Sequence, residues 1–168
     1  VKKSKPGDVV VERRNWYVSN VGLPGFWPHA TLYLGTPREM ASYLDKDLKV
    51  AAHYKGSFTK HLQRTYPDAW ATYASVDEYG HPHRIIEAMS EVVVFTSAEH
   101  SFDADYVAAL RPKLNKLEKA KAIERAFRYA FRPYDFNFDF FSDATIVCSE
   151  LVYKAYEPRP GAKGLSFP

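Results

Sequence analysis

At 168 residues and 19.2 kDa the chain has the length of one ordinary domain, enough to bury one core and not two independent ones. The net charge of +3 comes from Lys and Arg scattered along the sequence, without the basic stripe and interleaved aromatics that a nucleic-acid groove needs, so nucleic acid is excluded as the expected partner. No apolar run approaches the roughly 18 residues of a membrane span. A single Cys excludes an internal disulfide and a CxxC pair, and the chain offers no Cys/His cluster at metal-ligand spacing.

Hydrophobic residues make up 46% of the chain and charged ones 26%, within the soluble globular range. Aromatics are high at 15% and imply an aromatic core or a cleft whose walls hold an apolar or sugar-like ligand. The chain starts on Val and stops in the loop-like GAKGLSFP. The expectation is a trimmed or processed mature form, released to the cell envelope or secreted after losing an N-terminal signal. Composition leaves redox compartment and oligomeric state open.

In chain order, Gly7-Asp8 opens VVVER, whose β-branched residues suit a strand entering from a turn. The Gly- and Pro-rich NVGLPGFWP leads to HATLYLG, where His29, Thr31 and Tyr33 alternate with Ala30, Leu32 and Leu34 as on a strand with one polar face. Thr36-Pro37-Arg38-Glu39 has the form of a capping box and predicts a helix through about Leu48. From there to His83 the Tyr-, Trp- and His-rich tract reads as short helices and loops, an insertion that covers something. RIIEAM and EVVVFTS are two further strands across a polar turn.

After His100, Leu117, Ala120, Ile123, Phe127, Ala130 and Phe131 fall at helical spacing, and Pro133 ends this longest helix. The aromatic YDFNFDFF then leads into IVCSELVYKAYEP. There Cys148, Leu151, Val152, Ala155 and Tyr156 form one helical stripe, stopped by Pro158.

Cys148 therefore stands in the first turn of a helix, where a field of roughly +0.5 charge favours thiolate over thiol. A nucleophilic thiolate needs an imidazole within reach, and His29, on the polar face of its strand, is the best placed of the six His. The imidazole needs an orienting acceptor in turn. Glu87 is a carboxylate in an otherwise apolar strand, costly to bury unless paired, and a Cys/His/Glu triad accounts for it. Each residue also has a plainer reading. A lone Cys on an apolar stripe is more often a small core residue, and His29 or Glu87 alone is more often structural. His81-Pro82-His83 lacks a third ligand at metal spacing. Asp135 and Asp139 read first as turn caps and second as a carboxylate pair for sugar hydrolysis.

The joint pattern GDVVVER, PHATLYLG, RIIEA, RPYDFNFDF and CSELVYKAY, spanning residues 7 to 156, resembles the YiiX/YebB-like branch of the NlpC-type papain-like cysteine hydrolases, relatives of lecithin:retinol acyltransferase. The cysteine comes after the histidine, the order of the circularly permuted branch. The resemblance implies an α+β papain-like fold: a small antiparallel, barrel-like sheet packed against the cysteine helix. It implies Cys148 as nucleophile, His29 as general base and Glu87 in the orienting position, with no metal or organic cofactor. Tyr134, Tyr33 and Trp27, in or beside these motifs, are candidates for lining the substrate.

The whole chain, 1 to 168, reads as one such domain, with 36 to 83 as an insertion or lid carrying specificity. The substrate is expected to be a small peptide or amide of the cell wall. A lipid ester or amide, as in the acyltransferase relatives, is the alternative within the enzyme reading. A carbohydrate-binding or glycan-cleaving protein indifferent to Cys148 is the alternative outside it.

Overall fold

A computed structural model describes residues 3–15, 26–89, 92–133 and 147–165. Strand β1 (Asp8–Arg13) enters from Gly7, whose left-handed backbone (φ 87°) also leaves no room for a side chain: a Cβ there stands 2.9 Å from that of Lys119. Strand β2 (His29–Tyr33) returns antiparallel, with Asp8 opposite Tyr33 and Glu12 opposite His29. Strands β3 (His83–Ala88), β4 (Val93–Ser97) and β5 (Tyr106–Leu110) complete a five-stranded sheet in the order β4-β3-β2-β1-β5, each pair antiparallel.

The barrel-like closure expected from the resemblance is not formed. The sheet is open, with β4 and β5 as its two end strands and no ladder between them. The β4 edge is covered. Residues 131–133 lie along β4, where Phe131 donates to the Val93 carbonyl at 2.9 Å and Val93 to that of Arg132 at 2.8 Å. This also explains why the long helix stops short of its apolar stripe. It runs Lys116–Arg128, and Phe131 leaves it in a left-handed conformation (φ 66°) to cover the strand edge instead of the core.

Strand β5 was not expected from the residues. YVAAL has no buried alternation and two Ala, and it becomes a strand by pairing with β1.

The helix expected through Leu48 is broken. After the capping box, α1 (Pro37–Met40) passes into one π-helical turn (Ala41–Asp45), and α2 (Leu48–His53) starts anew. Two aspartates divert the backbone. Asp47 caps α2 by accepting from the Lys49 and Val50 amides at 3.0 and 3.2 Å. Asp45 accepts from the Phe58 amide at 2.8 Å, at the start of α3 (Phe58–Thr65). Helix α4 (Pro67–Tyr73) follows, with Pro in its first turn, and α5 (Ala98–Ser101) leaves the end of β4.

The tract expected to be an insertion sends Met40, Leu44, Val50, Phe58, Leu62 and Tyr73 into the main core. There they join Leu32, Ile86 and Phe95 of the sheet, Ile123 and Phe127 of α6 (Lys116–Arg128), and Leu151 and Tyr156 of α7 (Cys148–Tyr156). Part of the high aromatic content is thus core: the rings of Tyr73, Phe95 and Phe127 lie within 5.1 to 5.7 Å of one another. On the other face of the sheet Val10, Tyr33 and Ile85 form a smaller cluster.

Candidate active site

Burial of Leu151, Val152, Ala155 and Tyr156 fixes α7 against the sheet and α6, and the Tyr156 hydroxyl donates to the Gly7 carbonyl, tying the helix to the start of β1. The result is that Cys148, the first residue of α7, stands beside the first residues of β2. Val147 at the N-cap provides no side-chain oxygen for the first turn, whose amides have no partner within the helix. The Glu150 carboxylate reaches back to the Val147 amide at 3.4 Å and pairs with Lys154 at 3.7 Å. Cys148 itself is 5% exposed, its sulfur 3.8 Å from the carbonyl of Pro28, the residue before His29.

Parity sets the other groups. Successive side chains of a strand alternate between faces, so Glu12 of β1 and His29 of β2, directly paired, point the same way, and Glu87 of β3 and Thr96 of β4 join them across the sheet. Nε2 of His29 donates to Glu87 Oε2 at 2.6 Å, which leaves the other ring nitrogen for the thiol. The Thr96 hydroxyl donates to Glu87 Oε1. A buried carboxylate is thus satisfied on both oxygens, the condition for burying it in an apolar strand.

The electrostatics follow from this line of contacts. Burial pushes the Cys148 thiol up, but the hydrogen bond and charge of His29, with backbone hydrogen bonds of Ala30 and Ser149, outweigh it and hold the thiol below its ordinary value. Burial pulls the His29 imidazole down, and its contacts with Cys148 and Glu87 more than reverse this, raising it to about 10. Glu87, pushed up by burial, is brought below the usual carboxylate range by His29 and Thr96. Each shift runs toward the charged form of its group: thiolate, imidazolium and carboxylate in a row.

The structure therefore brings Cys148, His29 and Glu87 together. Tyr33 is buried in the smaller cluster beside Val10 and Ile85. Trp27 is 41% exposed, edge-on to Phe26, one residue before the Pro28 carbonyl that meets the thiol. Tyr134, with Asp135 and Asp139, lies outside the described residues.

Two neighbours were missed from sequence, Glu12 and Thr96. Glu12 is 4% exposed, with Oε1 4.0 Å from His29 Nε2. The signal for it was its even spacing from Asp8 in GDVVVER, but the pairing with His29 depends on a register that residues 14–28 conceal. Ligand-type atoms of Glu12, His29 and Glu87 lie within 4.8 Å of one another, yet the nearest two are 2.6 Å apart, the separation of atoms sharing a proton. His81 and His83 belong to no three-ligand group among the described residues. The ring of His83 donates to the Thr72 carbonyl at 2.7 Å.

An antiparallel sheet carrying His29, with the cysteine on a later helix packed against it, is a permuted papain-like arrangement. The chain belongs to the family of permuted papain-like amidase enzymes of the YaeF/YiiX kind, the C92 family, which matches residues 3–163. No curated protein and no solved structure matches it. Among the described residues no helix is long and apolar enough to cross a membrane.

Proposed function

We propose that the chain is a cysteine amidase in which Cys148 is the nucleophile, His29 the general base and acid, and Glu87 the acceptor that orients the imidazole, acting on peptides of the bacterial cell wall. The observation that carries this reading is the row of groups in which Cys148, beside Pro28, and His29 shift each other's ionisation, His29 donates to Glu87 at 2.6 Å, and Thr96 holds the far oxygen of Glu87. The Cys148 thiolate attacks the amide carbonyl, a C–S bond forms, and the oxyanion accepts from the Cys148 amide at the start of α7. The imidazolium gives its proton to the leaving nitrogen as the C–N bond breaks. Water, deprotonated by the same imidazole, then attacks the thioester, the C–S bond breaks and the carboxylic acid leaves.

A second reading, transfer or hydrolysis of a lipid acyl group, is favoured by the exposed rings of Phe26, Trp27 and Tyr106, which meet edge-on where Phe26 and Trp27 lead into Pro28. The tract 36–83, in either reading, carries substrate specificity.

The test is the rate of iodoacetamide alkylation against pH, read by intact mass, which has no ambiguity in a chain with one Cys. The expected midpoint lies well below the free-thiol value of about 8.5, and His29→Ala returns it there. A thiol inert to high pH, or a midpoint blind to His29, overturns the reading. Cell-wall fragments that gain free amines favour the peptide substrate, and an acyl mass shift on Cys148 favours the lipid one.

A further inference from the structure

The proposed mechanism uses one of two carboxylates beside the imidazole. Glu12 is the other. It is directly opposite His29 in the β1–β2 ladder, its side chain is 6% exposed, and Oε1 lies 4.0 Å from the same ring nitrogen that Glu87 holds at 2.6 Å. Its other oxygen, Oε2, is buried with no hydrogen-bond partner among the described residues. A buried carboxylate oxygen left bare is costly and calls for a role.

We propose that Glu12 is a positioning residue of this reaction, one that sets how tightly His29 holds its proton by gaining or losing its own. This rests on the assignment of His29 as base and acid. Two carboxylates around one imidazole do not ionise independently. Among the described residues the charged groups that face Glu12 are His29 from β2, Glu87 from β3 and Arg14 beyond the end of its own strand; its partner on β5 is the uncharged Val107. Burial raises Glu12 to about 7, with Glu87 pushing the same way against the pull of His29 and Arg14.

Near neutrality, then, Glu12 changes charge while Glu87 stays ionised. With Glu12 protonated, the imidazolium has Glu87 and the Cys148 thiolate as its negative partners. With Glu12 ionised, a further negative charge 4.0 Å from the ring tightens the hold on the proton. The thiolate–imidazolium pair then persists to higher pH, and the imidazolium becomes a weaker acid toward the leaving nitrogen.

The test is NMR titration of the ¹⁵N-labelled His29 ring in the wild type and in Glu12→Gln, with the pH profile of Cys148 alkylation alongside. Glu12→Gln is expected to lower the His29 midpoint by about one pH unit, a tenfold loosening of the proton, and to leave Glu12→Asp closer to the wild type. A His29 midpoint that does not move overturns the proposal. The wild type supplies a check that needs no variant: the ¹³C carboxyl signal of Glu12 is expected to titrate at about 7, and a midpoint at the ordinary value of 4.5 overturns it equally. Failure of the proposed function appears elsewhere, as alkylation indifferent to His29→Ala, and leaves both titrations readable.

Discussion

Asp8 and Glu12 stand at the two ends of β1, on the same face of the sheet and almost equally buried, at 1% and 4% exposure. Asp8 has every oxygen engaged: the Lys5 amide at 2.9 Å, the Arg111 guanidinium at 2.8 Å and the buried Lys119 ammonium at 3.5 Å. Although burial pushes its carboxyl up, these partners hold it below its ordinary 3.8. Glu12 has an imidazole at 4.0 Å, a second carboxylate nearby and an oxygen with no partner among the described residues, and it is raised to about 7. One strand thus carries a completed polar network at one end and an incomplete one at the other. The complete network fixes the fold, linking the N-terminal segment to α6. The incomplete one sits where protons must move, which is where polar groups with perturbed ionisation collect.

The sharpest way to separate the two ends is Cys148→Ala. Turnover should fall by on the order of 10⁴-fold or more, because a nucleophile has no substitute, while Tm changes little. An enzyme that keeps full activity without the thiol would place the chemistry elsewhere. Asp8→Asn should do the reverse. It leaves Lys119 buried without its anion and should cost about 3 kcal/mol, read as a Tm drop of roughly 10 °C, with the alkylation midpoint of Cys148 unmoved. A shifted midpoint would mean that the two ends of β1 are electrostatically coupled. Glu87→Gln should lower kcat/KM by about a hundredfold, with the imidazole less firmly oriented and the alkylation midpoint moved toward that of a free thiol. An unchanged rate and pH profile would return the orienting role to another group.

The contrast also marks what was legible in the residues. The strand pattern around His29, the stripe behind Cys148 and the isolated acid in RIIEA each follow from local periodicity, and all three side chains meet in the structure. Glu12 escaped because nothing in GDVVVER distinguishes an acid facing a histidine from one facing water; only the β1–β2 register does that, and the 15 residues from Arg14 to Pro28 intervene. Strand β5 escaped for the same reason, since its pairing with β1 and not its own pattern makes it a strand. The helix ends were misread where a side chain or backbone group found a better partner: Asp47 as a cap, Phe131 against β4. Local physics wrote the elements, and long-range pairing decided their limits.

Stability against pH is the finest test of the comparison, because the two acids should act in opposite senses. Asp8, held below 3.8 in the folded chain, contributes stability that is present above that value and lost as pH falls through its lowered midpoint. Glu12, raised from 4.5 to about 7, binds its proton more tightly in the folded chain. Its contribution is fully present below 4.5 and lost as pH rises toward 7. Glu12→Gln keeps the shape and removes the charge, so at pH 8 the variant should be more stable than the wild type by about 1 kcal/mol, a few degrees in Tm. That gain should vanish in acid, where the wild-type carboxyl is already neutral. A variant less stable at pH 8 would show that the ionised carboxylate strengthens the fold there, and Glu12 would then be a structural acid of the same kind as Asp8.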